Sequence, residues 1–134
     1  MTSIYLVRHA RSQGNDAGRF QGRMDTPLAP VGLEQAQYLG KRFASLPVAA
    51  VYSSPLQRAR QTAAAIAAPH QLEVQIEPDL IEIDIGDFEN RTAEEVKQLY
   101  PRELEAFDAT PHLFTAPKNG ESILDVYTRM VRAI

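Results

Sequence analysis

The fold is decided by the stretch Ile4-Tyr5-Leu6-Val7-Arg8-His9 near the start of the chain. Its first four residues form a short apolar run of strand-forming types, and a cation and an imidazole follow directly. Apolar runs of this length that end in polar residues are typical of buried parallel strands. The sequence therefore predicts a buried parallel strand at 4–7 whose carboxyl end presents Arg8 and His9.

The elements that follow extend this strand into an alternating pattern. Apolar runs predict strands at 48–52 and 72–76, and helical periodicity predicts helices at 31–45 and 56–68. Strands that alternate with helices are typical of a parallel sheet with right-handed crossovers. We expect the second helix to start at Ser54-Pro55, with the serine as its N-cap, and to stop at Pro69; further helices are predicted at 92–100, from Pro101 and from Ser122.

The predicted fold class is α/β, with three layers in which a mostly parallel sheet carries helices on both faces. Parallel strands need this cover because they are apolar on both sides. Three short strands form a small sheet, so we expect the domain to be incomplete at its C-terminal end. The last helix has an apolar stripe that we predict to be core, formed by Ile123, Val126, Tyr127, Met130 and Ile134.

Composition restricts the function classes. The 134 residues include 14 Lys and Arg against 17 Asp and Glu, a net charge of −3, so neither nucleic acid nor a membrane is an expected partner. With 0 Cys, disulfides and thiolate metal sites are excluded. No apolar run is long enough for a membrane span, and the first residues do not resemble a signal peptide. We therefore expect a single domain, 1–134, in the cytoplasm.

Polar residues follow all three predicted strands. Arg8 and His9 follow the first, Arg58 lies in the first turn of the helix after the second, and Glu82 lies in the loop after the third. Ligands of open α/β sheets bind at this edge. Two guanidinium groups can bind phosphate oxygens, a neutral imidazole can attack phosphorus, and a carboxylic acid can protonate a leaving oxygen. The pattern is consistent with a site for a phosphoryl group.

Five blocks of sequence, in order along the chain, make this more specific. They are Leu6-Val7-Arg8-His9-Ala10-Arg11-Ser12-Gln13-Gly14-Asn15, Phe20-Gln21-Gly22 with Asp25, Ser53-Ser54-Pro55-Leu56-Gln57-Arg58-Ala59-Arg60-Gln61-Thr62-Ala63, Leu80 and Glu82 with Gly86, Phe88 and Glu89, and Pro117 with Gly120-Glu121-Ser122. Together they resemble the histidine phosphatase superfamily, the phosphoglycerate mutase-like proteins. Any one block is weak to moderate support, and five in register are strong support.

The resemblance implies a role for each site residue. His9 is the implied nucleophile that accepts the phosphoryl group, Arg8 and Arg58 hold that group, and Glu82 is the general acid. The further phosphate-binding residues are Asn15, Gln21, Gly22 and Arg11. No metal ion or other cofactor is expected.

Several readings of individual residues stay open. Asp84, Asp87 and Glu89 lie in the same loop as Glu82 and are alternative candidates for the general acid. For Arg11 the sequence favours neither phosphate binding nor solvent exposure over the other. Asn15 also fits a turn residue, Arg60 fits a surface cation, and His70 and His112 fit surface loops. The chain departs from the family pattern at Ala10 and Asn90, where the family usually has glycine.

The implied activity is hydrolysis of a small phosphorylated metabolite through a phosphohistidine. The compact loop Glu82-Ile83-Asp84-Ile85-Gly86 favours this phosphatase over the alternative, a cofactor-dependent phosphoglycerate mutase. A non-catalytic phosphoester-binding domain is the third reading, if the chain is naturally this short. The family's second histidine would follow the helix from Ser122, so we expect the 134-residue chain itself to be inactive. The sequence leaves the substrate and a homodimer undecided.

Overall fold

The computed structural model describes residues 2–134. Their helices and strands follow one another as α1 (Gln13–Asp16), α2 (Pro30–Phe43), β1 (Val51–Ser53), α3 (Gln57–Ala67), β2 (Val74–Ile76), α4 (Ala93–Leu99), α5 (Pro101–Ala109) and α6 (Ile123–Ala133). Short 3-10 turns occur at Ala68–His70, Pro78–Leu80, Gly86–Phe88 and Pro111–Leu113. Among these described helices, none combines the length and the apolar character that crossing a bilayer requires.

The sheet is a parallel pair, β1 beside β2, with Val51 opposite Val74 and Ser53 opposite Ile76. Both strands are shorter than the predicted runs at 48–52 and 72–76. The prediction of a buried strand at 4–7 was wrong, because in the described chain this segment forms no strand ladder and Leu6 is 85% exposed. An apolar run becomes a buried strand only where a neighbouring strand pairs with its backbone.

Helix α3 begins later than predicted. Its first residue is Gln57 and its N-cap position is Leu56, so Ser54 and Pro55 belong to the preceding turn. The Ser54 hydroxyl still accepts a hydrogen bond from the Leu56 N–H, at 3.4 Å. The cap comes from elsewhere in the chain, since the Asp25 carboxylate accepts the Gln57 N–H at 2.6 Å. A carboxylate at this position also interacts favourably with the N-terminal end of the helix dipole.

One core region lies between the sheet and the pair α2 and α3. It is formed by Val51, Ala63, Ile66 and Ala67, with Leu39, Phe43 and Val74 packed against them. The helices approach closely where Gly40 faces the Ala65 carbonyl, and a Cβ on this glycine would lie 2.4 Å from that oxygen. This contact fixes α3 against α2, and α3 carries Arg58.

A second core region is aromatic and holds α4 and α5 against the loops. Phe88 is completely buried, and its ring centroid lies 5.4 Å from Phe20, 5.7 Å from Phe114 and 6.0 Å from Tyr100. Helix α4 begins with the predicted capping box, in which Thr92 and Glu95 each accept a backbone N–H of the other. The predicted helix from Pro101 is also confirmed, as α5.

Helix α6 differs from its prediction in what it buries. The helix begins at Ile123 behind a capping box of Ser122 and Asp125. Its apolar stripe is not core throughout, because Tyr127 is 65% exposed and Ile134 is 76% exposed. The buried residue of this helix is Arg129, which makes four hydrogen bonds to the loop before Glu82 and to Glu121.

We expect Phe88→Ala to lower the free energy of unfolding by about 3–5 kcal/mol, because the removed ring contacts four other aromatic rings in a closed core. Denaturant unfolding followed by circular dichroism measures this loss. The matched control is the exposed Leu113→Ala, for which we expect a change within about 0.5 kcal/mol. Equal effects of the two substitutions would contradict the assignment of the aromatic core.

Candidate active site

A cleft of about 200 Å³ opens where the segment after residue 7, the N-terminal end of α3 and the loop after β2 meet. All of the predicted site residues except Arg11 are among the described residues that line it. The lining consists of Arg8, His9, Asn15, Phe20, Gln21, Gly22, Arg58, Glu82, Ile83, Ile85 and Phe107. The cleft therefore has a polar side with two guanidinium groups and an apolar side with two aromatic rings.

The His9 imidazole is held in one tautomer. Its Nδ1 lies 2.7 Å from the carbonyl oxygen of Ala10, and a carbonyl can only accept, so Nδ1 carries the proton. In the neutral ring the lone pair is then on Nε2. The Ala10 N–H in turn donates to the Thr62 hydroxyl at 3.0 Å, which anchors this turn to α3. The ring is thus oriented with an unprotonated nitrogen available to react.

Burial and neighbouring cations keep this imidazole neutral. Burial is the largest influence and lowers the pKa of His9 below its ordinary 6.5, while the hydrogen bond to Ala10 acts in the opposite direction. The positive charges of Arg58 and Arg8 lower the pKa further, and the carboxylate of Glu82 raises it. The sum favours the neutral form, which is the nucleophilic one.

The alanine at position 10 fits this turn without backbone strain. The non-glycine residues with positive φ in the described chain are Gln71, Asn90, Lys118 and Asn119, so Ala10 lies outside the region that requires glycine. Asn90, by contrast, has a φ of 62°, in the left-handed region that glycine and asparagine tolerate best. Both departures from the family pattern are therefore compatible with the local backbone.

Arg58 supplies a buried positive charge at the base of the cleft. It is 2% exposed, and its guanidinium donates to the carbonyl oxygens of Met24 at 2.7 Å and Gly22 at 2.8 Å. Burial lowers the pKa of Arg58, and the negative charges of Glu82, Asp25 and Glu89 oppose that effect. An arginine remains protonated under these conditions, so the cleft contains a fixed cation.

Gly22 is required by the geometry of the cleft. Its φ is +46°, and a Cβ there would lie 2.6 Å from the Ile85 side chain. The carbonyl of this glycine accepts a hydrogen bond from Arg58. A side chain at position 22 would displace either Ile85 or the segment whose Gly22 and Met24 carbonyls hold the guanidinium.

Two side-chain amides line the polar side, and Ser12 orients them. The Asn15 oxygen accepts the Ser12 backbone N–H at 2.9 Å, which turns the amide nitrogen of Asn15 away from this bond and leaves it available to a ligand. The Gln21 oxygen lies 2.8 Å from the Ser12 hydroxyl and 3.0 Å from the Thr26 hydroxyl. Sequence reasoning assigned no role to Ser12, although its place before Gln13-Gly14-Asn15 fits an N-cap.

Among the four acidic residues of the loop, Glu82 is the one that lines the cleft. Asp84 accepts the Gly86 N–H at 2.9 Å, and Asp87 accepts hydrogen bonds from Tyr100 and Arg91. Those hydrogen bonds hold the pKa of Asp87 below its ordinary value. The last carboxylate, Glu89, has one buried oxygen without a hydrogen-bond partner among residues 2–134.

The remaining sequence candidates lie outside the cleft lining. Arg11 forms an ion pair with Asp16 at 2.5 Å and is exposed, which matches its solvent-exposed reading. The His70 ring bonds to the carbonyl oxygen of Phe43 at 3.1 Å, beside α2. His112 and Arg60 are exposed, in the 3-10 turn at Pro111–Leu113 and on α3 respectively.

An oriented imidazole, two guanidinium groups and one carboxylate around a small cleft are chemically suited to a phosphoryl group. The comparison with family models identifies the protein family. The model of the histidine phosphatase superfamily (branch 1) matches residues 4–134, so the chain belongs to that superfamily. This confirms the resemblance carried by the five sequence blocks.

The chain is similar to phosphatases and to mutase-like proteins. Phosphoserine phosphatase 1 of Hydrogenobacter thermophilus is 38% identical over 130 residues, which are 97% of this chain and 61% of that protein. Phosphoglycerate mutase-like protein 4 of Arabidopsis thaliana is 34% identical over 133 residues, 98% of this chain and 58% of that protein. This chain thus spans about 60% of the length of these relatives.

The structural comparison agrees with the predicted α/β class. The structure of Bacillus stearothermophilus YhfR superposes with a TM-score of 0.88 and is 36% identical in sequence. The match covers 94% of this chain and 62% of that one. The fold class predicted from the sequence is therefore confirmed, although the strand at 4–7 is not formed.

We expect His9 to titrate below pH 6.5, because burial and the two arginines disfavour its cationic form. Replacing Arg8 with Gln removes one of those charges and raises the midpoint. Replacing Glu82 with Gln removes an opposing charge and lowers it. Proton–carbon NMR of the imidazole over pH 4–9 measures all three midpoints. A wild-type midpoint above 6.5, or shifts of the opposite sign, would contradict this electrostatic description.

The same shift links protonation to folding. A histidine whose pKa is lower in the folded state binds its proton more readily when the chain is unfolded. His9 therefore lowers stability as the pH falls through 6.5 towards its folded midpoint. The His9→Gln variant lacks this contribution, so we expect its unfolding free energy to fall less over that pH window in parallel denaturant titrations.

Proposed function

We propose that this protein hydrolyses a small phosphomonoester through a phosphohistidine on His9. The single observation that carries the proposal is the fixed tautomer of His9, whose free Nε2 belongs to the same cleft as Arg8 and Arg58. An unprotonated imidazole between two cations suits attack on an anionic phosphoryl group, because the cations offset the negative charge of the substrate. We also propose a cytoplasmic location, with which a composition of 0 Cys is compatible.

In the first half of the reaction, Nε2 of His9 attacks phosphorus and the ester P–O bond breaks. Arg8 and Arg58 bind the phosphoryl oxygens and stabilise the charge that develops on them. The protonated carboxyl group of Glu82 gives its proton to the leaving oxygen, which departs as an alcohol. Asn15 and Gln21 contribute neutral donors to the same oxygens.

In the second half, water replaces the alcohol. The Glu82 carboxylate takes a proton from the water as its oxygen attacks phosphorus, and the P–N bond to His9 breaks. Inorganic phosphate leaves, and both residues return to their starting states.

We further propose that residues 1–134 form a single domain of this superfamily. The support is that contacts run across the whole described chain, from Ala10 on Thr62 to Arg129 on Asp79. The chain spans about 60% of the length of these relatives, so activity is measured on the protein as its gene encodes it.

We expect His9→Ala to reduce phosphate release from an aryl phosphate to the level of the uncatalysed reaction, because no other group in the cleft lining is an imidazole. The matched control is His70→Gln, which changes a histidine that bonds to the Phe43 carbonyl beside α2. The measurement is colorimetric phosphate release.

The other outcomes of the comparison between His9→Ala and His70→Gln each support a different alternative to hydrolysis through His9. Wild-type turnover no greater than that of His9→Ala, with phosphate binding retained, favours a phosphoester-binding domain. Transfer of the phosphoryl group to an added sugar acid, in preference to water, favours a mutase. Equal losses in His9→Ala and His70→Gln would remove His9 from the role of nucleophile.

We expect Glu82→Gln to divide substrates by leaving group. An alkoxide needs a proton as it leaves, so turnover of an alkyl phosphate falls by about 10²–10⁴-fold. A nitrophenolate leaves without one, so formation of the phosphohistidine from nitrophenyl phosphate is largely retained. A pre-steady-state burst of nitrophenol measures that step. Glu73→Gln is the matched control, since Glu73 is exposed and lies outside the cleft lining; equal losses for both leaving groups would argue against the acid role.

A further inference from the structure

We propose that Arg129, in the middle of α6, is a positioning residue that sets where Glu82 lies in the cleft. This inference rests on the proposed function, because it concerns the acid of that reaction. Arg129 does not line the described cleft and therefore acts through the backbone of the loop that carries Glu82.

The contacts of Arg129 are directed at the residues just before Glu82. Its Nη1 donates to the carbonyl oxygen of Asp79 at 2.7 Å and to that of Ile81 at 2.6 Å. Arg129 is 7% exposed, so both bonds are shielded from water. Charge-assisted bonds of this kind are stronger than neutral ones, and two of them on one nitrogen fix the spacing of two carbonyls. The chain entering Glu82 is thereby held at two points.

Glu121 extends the hold to the residues just after Glu82. It pairs with Arg129 through two parallel bonds, Nε to Oε1 at 2.9 Å and Nη2 to Oε2 at 3.0 Å. It also accepts the Asp84 N–H at 2.9 Å, and its own N–H donates to the Asp84 carbonyl at 2.8 Å. Burial raises the pKa of Glu121, but the bonds to Arg129 and Asp84, together with the positive charges of Arg129 and Arg23, outweigh burial and hold that pKa below its ordinary value, so Glu121 is ionised. The loop is therefore clamped on both sides of the acid.

A second arginine, Arg23, contacts the same carboxylate and the backbone of Glu82 itself. Arg23 contacts the Glu121 carboxylate at 3.1 Å, and its Nε donates to the carbonyl oxygen of Glu82 at 3.2 Å. It also lies 3.6 Å from the Asp84 carboxylate. We call Arg23, Glu121 and Arg129 the acid brace. Its members bind backbone atoms at residues 79, 81, 82 and 84. None of them binds the Glu82 side chain, whose Oε1 accepts the Ile83 N–H at 2.9 Å.

The contacts of the acid brace differ from those of an ion pair that only stabilises α6. An ion pair between a helix and a loop needs only side chains, as Arg132 and Asp79 illustrate at 3.4 Å. Arg129 instead uses two of its four hydrogen bonds on loop carbonyls that lie within three residues of the proposed acid. A shift of about 1 Å in an acid can cost about 10²-fold in rate, so a brace of this kind has a direct effect on catalysis.

The test uses two substrates and five variants of the protein as its gene encodes it. Arg129→Lys keeps the charge but loses the fork that reaches two carbonyls and Glu121 at once. We expect it to reduce kcat on an alkyl phosphate by about 10–100-fold. The nitrophenol burst and KM stay at wild-type values, because Arg8, Arg58 and His9 are untouched. Arg132→Lys, on the same helix, is expected to match the wild type.

Combining the substitution of Arg129 with one of Glu82 distinguishes a positioning role from a general loss of stability. In an Arg129→Lys, Glu82→Gln double variant, the positioning role predicts no further loss on the alkyl phosphate beyond that of Glu82→Gln alone. Hydrogen exchange of amides 79–84 should accelerate in Arg129→Lys and not in Arg132→Lys. If Arg129→Lys does not fold, Glu121→Gln tests the same brace with the same two substrates.

The outcomes distinguish this inference from the proposed function. Equal losses on both leaving groups, additive losses in the double variant, or wild-type behaviour of both Arg129→Lys and Glu121→Gln overturn the positioning role alone. Wild-type turnover no higher than that of His9→Ala overturns the proposed function and, with it, a role in positioning its acid.

Discussion

The site depends on how the protein accommodates the buried guanidinium of Arg58. A buried cation loses the stabilisation that water gives, a penalty of several kcal/mol, unless other groups replace it. Here the carbonyl oxygens of Gly22 and Met24 replace it in part, and nearby carboxylates add a diffuse negative field. The charge also lies in the first turn of α3, where the helix dipole is unfavourable to cations. An anion in the cleft relieves both effects.

The same turn of α3 connects the other parts of the cleft. The Thr62 hydroxyl donates to the Arg58 carbonyl and accepts the N–H of Ala10, next to His9. Asp25 caps the helix from the loop that supplies Gly22. The segments around Ala10 and Asp25 therefore meet on the first two turns of α3, and the nucleophile and the buried cation keep fixed relative positions.

Signals carried by a few neighbouring residues could be predicted, and those that depend on distant partners could not. The Thr92 box, the helix at Pro101 and the candidate cleft residues follow from local patterns or from family blocks. The run at 4–7 failed because strand formation depends on a partner backbone. Ser54 lost its cap position to Asp25, which is 32 residues away from Gln57. Arg129 was missed because its partners at 79, 81 and 121 leave no periodic signal, and a polar residue beside an apolar stripe is usually exposed.

The hydrogen bond from His9 to the Ala10 carbonyl has a chemical consequence for the proposed reaction. Because Nδ1 keeps its hydrogen throughout, the ring enters as a neutral nucleophile and departs from phosphorus as the same neutral species. The imidazole is thus an equally competent entering and departing group, and its phosphorylated state is an activated phosphoramidate in which the ring is cationic and the phosphoryl group anionic. In both halves of the proposed reaction the proton is then transferred by one carboxyl group, that of Glu82, which is protonated before the first half and ionised before the second.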